Sequence, residues 1–119
     1  MYRKELLKGS TETILLALLV DGPMYGYQLV EEMDTRSSGY FRFKEGTLYP
    51  ALHRLERDGL VEGIWENSPI GQSRRYYHIT PQGQEKLESM LQEWDLFTKA
   101  VNLIAQPVGH LASGVLKRR

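Results

Sequence analysis

The sequence contains no cysteine. Disulfides, thiol catalysis and Cys-bound zinc are thereby excluded, and a reducing cytoplasm is compatible. It also has no excess of charge: 15 Lys and Arg balance 15 Asp and Glu across 119 residues. With no general electrostatic coating, any attraction for nucleic acid has to come from a local patch. Long hydrophobic runs are missing too. The longest, Ile14–Val20, falls far short of the ~18 residues that suggest a membrane span. Arg3 and Lys4 precede that run as they would in a signal peptide, but Glu5 and Glu12 interrupt it and no small-residue cleavage site follows. The expectation is a soluble, cytoplasmic, single domain with no membrane partner. His53, His78 and His110 lack metal-ligand spacing, and no P-loop, Rossmann, nucleophile-elbow or zincin motif occurs. No catalytic residue, metal site or cofactor is assigned, and an enzyme is not expected.

What is present is a set of short segments separated by clear punctuation. A leucine-rich helix with Ile14, Leu15, Leu18 and Leu19 stops at Asp21-Gly22-Pro23. A second helix runs from Tyr25 to about Met33, with Leu29, Val30 and Met33 on one side, and Ser37-Ser38-Gly39 breaks the chain after it. The third spans about Glu45 to Asp58 and closes at Gly59. The period then changes. Leu60–Asn67 and Arg74–Thr80 are rich in β-branched and aromatic residues and flank the turn-forming stretch 68–73, which predicts a hairpin. Thr80-Pro81 has the form of an N-cap followed by a first-turn proline. It opens a long helix expected to end near Gln106, before Pro107 and Gly109. The fold expected is mainly α with a small β-hairpin: a winged helix-turn-helix over residues 1–80, a dimerisation helix over 81–106, and a C-terminal tail over 107–119.

The third helix has two faces. Leu48, Leu52 and Leu55 share one stripe with Ala51 beside it, as core positions do. Gly46, Thr47, Pro50, Arg54 and Arg57 share the opposite stripe, with His53 at its edge and Arg42 and Lys44 just before the helix. Small residues where backbone meets phosphate, and cations further along, suit a helix entering a DNA groove. For a single arginine the plainer alternative is a solvated charge, paired here with Glu56 or Asp58. Tyr49 falls at the core boundary by angle, which favours packing over base contact. On the hairpin, Arg74 and Arg75 stand beside Tyr76 and Tyr77. Basic and aromatic residues together at a wing suit phosphate contact. Alternation turns one of the two tyrosines inward, and the alternative for the arginine pair is a charged edge that blocks aggregation.

Along the long helix, Leu87, Met90, Trp94, Phe97, Val101 and Ile104 recur at spacings of 3 and 4, the pattern of a helix packed lengthwise on another. Leu91, Leu96, Ala100 and Leu103 widen that face. The helix is therefore expected to meet both a partner chain and the first helix of one subunit or the other. At 1.5 Å per residue, 81–106 is about 39 Å long, more apolar face than a small winged core covers, so a symmetric homodimer is expected. Trp94 lies at mid-seam, where two symmetry-related indoles can either pack as a buried anchor or hold a small planar aromatic ligand between them.

Three blocks of this sequence resemble the PadR family of bacterial transcriptional regulators. The first runs from Leu19 through Gly26-Tyr27-Gln28-Leu29. The second is Gly46-Thr47-Leu48-Tyr49-Pro50-Ala51-Leu52-His53-Arg54-Leu55-Glu56-Arg57-Asp58-Gly59-Leu60. The third is Arg74-Arg75-Tyr76-Tyr77-His78-Ile79-Thr80-Pro81-Gln82-Gly83. Their order and spacing cover most of residues 14–104. The single long C-terminal helix with its Trp looks like the small-subunit branch, which includes multidrug-binding repressors. The resemblance implies a homodimer on double-stranded palindromic operator DNA, read by the third helix and the wing. It assigns Thr47, Tyr49, Pro50, Arg74 and Arg75 to the DNA side. For the drug-binding group it further implies release by a small aromatic or lipophilic compound near Trp94, with Met90, Leu91 and Phe97 around it. The rival class is a winged-helix module whose third helix is covered by a protein partner.

Overall fold

The structure, a computed structural model, describes the backbone of residues 2–67 and 69–112 and the side chains of residues 10–67 and 69–106. Residue 68 of the hairpin turn and residues 113–119 of the expected tail lie outside the described residues. The element order is α1 (Tyr2–Leu19), β1 (Met24–Tyr25), α2 (Gly26–Arg36), α3 (Glu45–Arg57), β2 (Val61–Asn67), β3 (Ser73–Ile79) and α4 (Pro81–Ala112). It divides into two compact units, 1–88 and 89–119.

The first unit is a winged helix. Its core is Leu15, Leu16, Leu18 and Leu19 from α1, Leu29 and Met33 from α2, and Leu48, Ala51, Leu52 and Leu55 from α3, all buried. The expected α3 stripe is thus its inner face, and truncating any one of these leucines to Ala would cost about 2–5 kcal/mol. Gly59, at φ 77°, closes α3: the Leu60 N–H donates to the Leu55 carbonyl at 2.9 Å, and the left-handed turn this needs suits a residue without a Cβ. The hairpin pairs β2 with β3, Val61 opposite Ile79 and Asn67 opposite Ser73. The sheet has a third strand. β1 pairs antiparallel with β3, Met24 opposite Tyr77 and Tyr25 opposite Tyr76, giving the order β1-β3-β2. Two residues have no periodicity of their own, so β1 exists only through its partner strand.

Thr80 opens α4 as expected. Its Oγ1 accepts from the Gly83 N–H at 2.9 Å and donates to the Gly59 carbonyl at 2.7 Å, which ties the helix start to the end of α3. Two features of α4 differ from expectation. The helix continues past Gln106 and Pro107 to Ala112. An interior proline removes one hydrogen bond and strains the turn before it, which here does not end the helix. Leu87, placed in the dimer seam by its spacing, is buried within its own chain at 6% exposure. The first two turns of α4 belong to the winged unit, so the apolar spacing serves that core before it serves any seam.

Candidate nucleic-acid interface

The residues before α3 alternate in burial. Phe43 is buried, while Arg42 and Lys44 on either side are exposed. This inward phenyl anchors the approach to α3 and presents two cations at its N-terminus, and an aromatic residue between two cations is the sequence signal for it. Gly46, Thr47, Pro50, His53, Arg54 and Arg57 are all exposed on the outer face of α3. Tyr49 is half-buried and packs over the start of α2: a Cβ at Gly26 would strike its hydroxyl. That matches the boundary position read from its helical angle.

Several of these cations have partners. Arg54 Nε lies 3.1 Å from Glu12 on α1, Arg57 Nε 3.1 Å from Asp58, and Arg42 Nε 3.6 Å from Asp34. The Asp58 carboxylate also raises the Arg57 pKa. The expected pairing with Asp58 therefore holds for Arg57, whereas Arg54 reaches across to α1 and Glu56 is taken by Arg75. These pairs are largely exposed, where an ion pair is weak and readily exchanged for another anion. Among the described residues Lys44 and Arg74 have no carboxylate partner.

On the wing, residues two apart share a face. Tyr77 is the inward tyrosine, 3% exposed. Burial pushes its phenol pKa up, against the pull of the neighbouring Arg75. Tyr76 meets Tyr25 edge to face at 5.4 Å, and the Arg74 guanidinium lies over the Tyr25 ring at 4.3 Å. Between α3, the start of α2 and the wing is a cleft of about 780 Å³ lined by Tyr25, Tyr27, Tyr49, His53, Trp65 and both wing arginines, among others. The surface thus joins an exposed helix face to a basic, aromatic wing. The Tyr25 part of it was missed from the sequence because it depends on β1.

The second unit is the distal part of α4. Its apolar positions are open in the single chain: Leu91, Trp94, Leu96, Phe97, Val101, Leu103 and Ile104 are exposed, and Met90 is half-exposed. Trp94 and Phe97, one turn apart, stack at 5.9 Å with their planes 25° apart. Asp95, next to Trp94 in sequence, is bridged to Lys99 at 2.9 Å. No helix among the described residues is long and apolar enough to cross a membrane, and no group of His, Asp and Glu among them could hold a metal ion.

An outward-facing third helix beside a basic hairpin is the arrangement of a winged-helix DNA-binding regulator. Residues 15–89 match the transcriptional regulator PadR-like family. The chain belongs to that family, whose members are DNA-binding transcriptional regulators and not enzymes. It is similar to the crystal structure of a PadR-like transcriptional regulator from Bacillus cereus, at 35% identity and a TM-score of 0.77, over 86% of this chain and 97% of that one. It is likewise similar to a transcriptional regulator from Clostridium thermocellum, at 33% identity and a TM-score of 0.76, over 82% and 95% of the two chains. A transcriptional regulator of Mycobacterium tuberculosis is 34% identical over 85 residues, 71% of this chain and 75% of that protein.

Proposed function

We propose that the protein is a homodimeric repressor that binds a palindromic operator, α3 entering the major groove and the wing following the phosphate backbone. The observation that carries this reading is the single continuous surface formed by the outer face of α3 and the wing, with Lys44 and Arg74 lacking carboxylate partners among the described residues. On this surface Arg42, Lys44, Arg54, Arg57 and Arg74 supply charge to phosphates. Gly46 and Pro50 allow close approach, and Thr47 and Tyr49 stand nearest the base edges. The open apolar face of distal α4, through Met90, Trp94, Phe97, Val101 and Ile104, supports pairing with a second copy. A contiguous exposed patch of this kind commonly marks an interface. In such a dimer the two reading helices have to sit ~34–36 Å apart to meet consecutive half-sites. A small planar aromatic ligand held at Trp94, Met90, Leu91 and Phe97 releases the operator if it binds the two dimer conformations unequally.

The test is duplex binding across a series of salt concentrations. Wild-type protein is expected to lose affinity steeply with salt, and Arg74→Ala to flatten the log–log slope by ~0.9, one phosphate contact. Binding that is absent or indifferent to salt refutes the DNA reading and favours a protein-covered third helix.

A further inference from the structure

Arg74 and Arg75 are adjacent in sequence and differ in situation. Arg75 shares the inward face of β3 with Tyr77, and its guanidinium lies 5.9 Å from the centre of that buried ring. It bonds to the Glu56 carboxylate, which projects from the last turns of α3. Both side chains are well covered, 33% and 29% exposed. The same Glu56 Oε2 accepts the Gly63 N–H of β2 at 3.4 Å. One carboxylate of the third helix therefore holds both strands of the wing. Gly63 makes this possible, because a Cβ there would fall on the Arg75 guanidinium. Arg74 has no such tie: it rests on Tyr25 and donates to Gln72 Oε1 at 2.9 Å.

We propose that Glu56 is a positioning residue for DNA binding, one that locks the wing to α3 through Arg75 and the Gly63 amide, and that Arg75 acts through this lock without touching phosphate. The proposal rests on the DNA-binding reading above. A lone carboxylate on a surface that meets a polyanion is unfavourable, and pairing with Arg75 cancels its charge. The pair then adds nothing to counterion release. What it supplies is a wing already ordered before DNA arrives, so that binding does not have to order it.

The experiment measures affinity for a mixed-sequence duplex across salt concentrations, together with amide hydrogen exchange in β2 and β3. It compares wild type with Glu56→Ala, Arg75→Ala, their double variant and Gly63→Ala. Each single variant is expected to bind about three- to tenfold more weakly, the cost of ordering on binding what was ordered before. The salt slope should be unchanged and wing exchange faster, with the double variant no weaker than either single one. Glu56→Ala is the sharpest arm, since simple electrostatics predicts tighter binding when an anion is removed. Gly63→Ala alters no charge, so its loss reports geometry alone, and it decides the matter if Glu56→Ala does not fold. Tighter binding by Glu56→Ala, a slope flattened by ~0.9 in Arg75→Ala, or unchanged wing exchange overturns the proposal. Wild-type protein without salt-dependent duplex binding overturns the DNA reading and the positioning role together. Normal duplex binding with unchanged wing exchange overturns the positioning role alone.

Discussion

Phe97→Ala probes the proposed pairing of distal α4 at a residue that is not among the buried core of the winged unit. Phe97 is 57% exposed in the single chain and lies in the second unit. Fully burying such a side chain is worth about 1.5–3 kcal/mol. Covering the exposed 57% therefore contributes about 0.9–1.7 kcal/mol per copy on that scale. Two-fold symmetry doubles the loss to about 1.7–3.4 kcal/mol, a dimer dissociation constant weaker by about 20- to 300-fold. Phe97→Asp should be more severe, because it also places a charge in the seam. Sedimentation equilibrium over a range of concentrations reads the shift. A stable wild-type monomer at micromolar concentration refutes the reasoning, as does a Phe97→Ala dimer of unaltered affinity.

Three other perturbations separate the parts of the molecule. Thr47→Ala on the exposed face of α3 should change which duplex sequences are preferred while leaving the salt slope intact, read by competition among operator variants. Trp94→Ala should weaken binding of planar cationic dyes while leaving duplex binding largely in place; fluorescence titration reads it, with the exposed wing residue Trp65 as control. Alkaline melts should show stability intact below the ordinary tyrosine pKa of 10.0 and lost as pH rises through the raised value of Tyr77. The buried phenol holds its proton more tightly when folded, so the unfolded state ionises first. Tyr77→Phe should remove that alkaline loss.

The surface proposed to meet DNA and the fold that presents it were legible to different degrees. The inner stripe of α3 needed only the helical period, and Leu48, Leu52 and Leu55 are all fully buried. The Thr80 cap was equally readable, since a Thr-Pro pair is a local signal and its capping bond from the Gly83 N–H spans only three residues, whereas its bond to the Gly59 carbonyl, 21 residues back, was not. For the wing tyrosines, alternation showed that one faces inward but left open which, because strand phase is set by what the strand packs on. The arginines were the least legible. Their helical angle placed Arg54 and Arg57 outward, yet Arg54 pairs with Glu12 and Arg75 with Glu56, partners 42 and 19 residues away.

The sequence by itself determined the order of the four helices and the hairpin and the inner stripe of α3, because these follow from short-range periodicity, capping and breaking residues within a few positions of one another, and its three motif blocks carried the resemblance to the family. Tertiary structure alone decided the third strand, the burial of Leu87 within its own chain and which arginines of the surface proposed to meet DNA are paired with carboxylates. A two-residue strand exists only through the hydrogen bonds of its partner. A heptad position is claimed by whichever surface reaches it first. The charge an arginine offers to a phosphate depends on which carboxylate the folded chain has already brought beside it, and that is a property of three-dimensional distance that spacing along the chain does not carry.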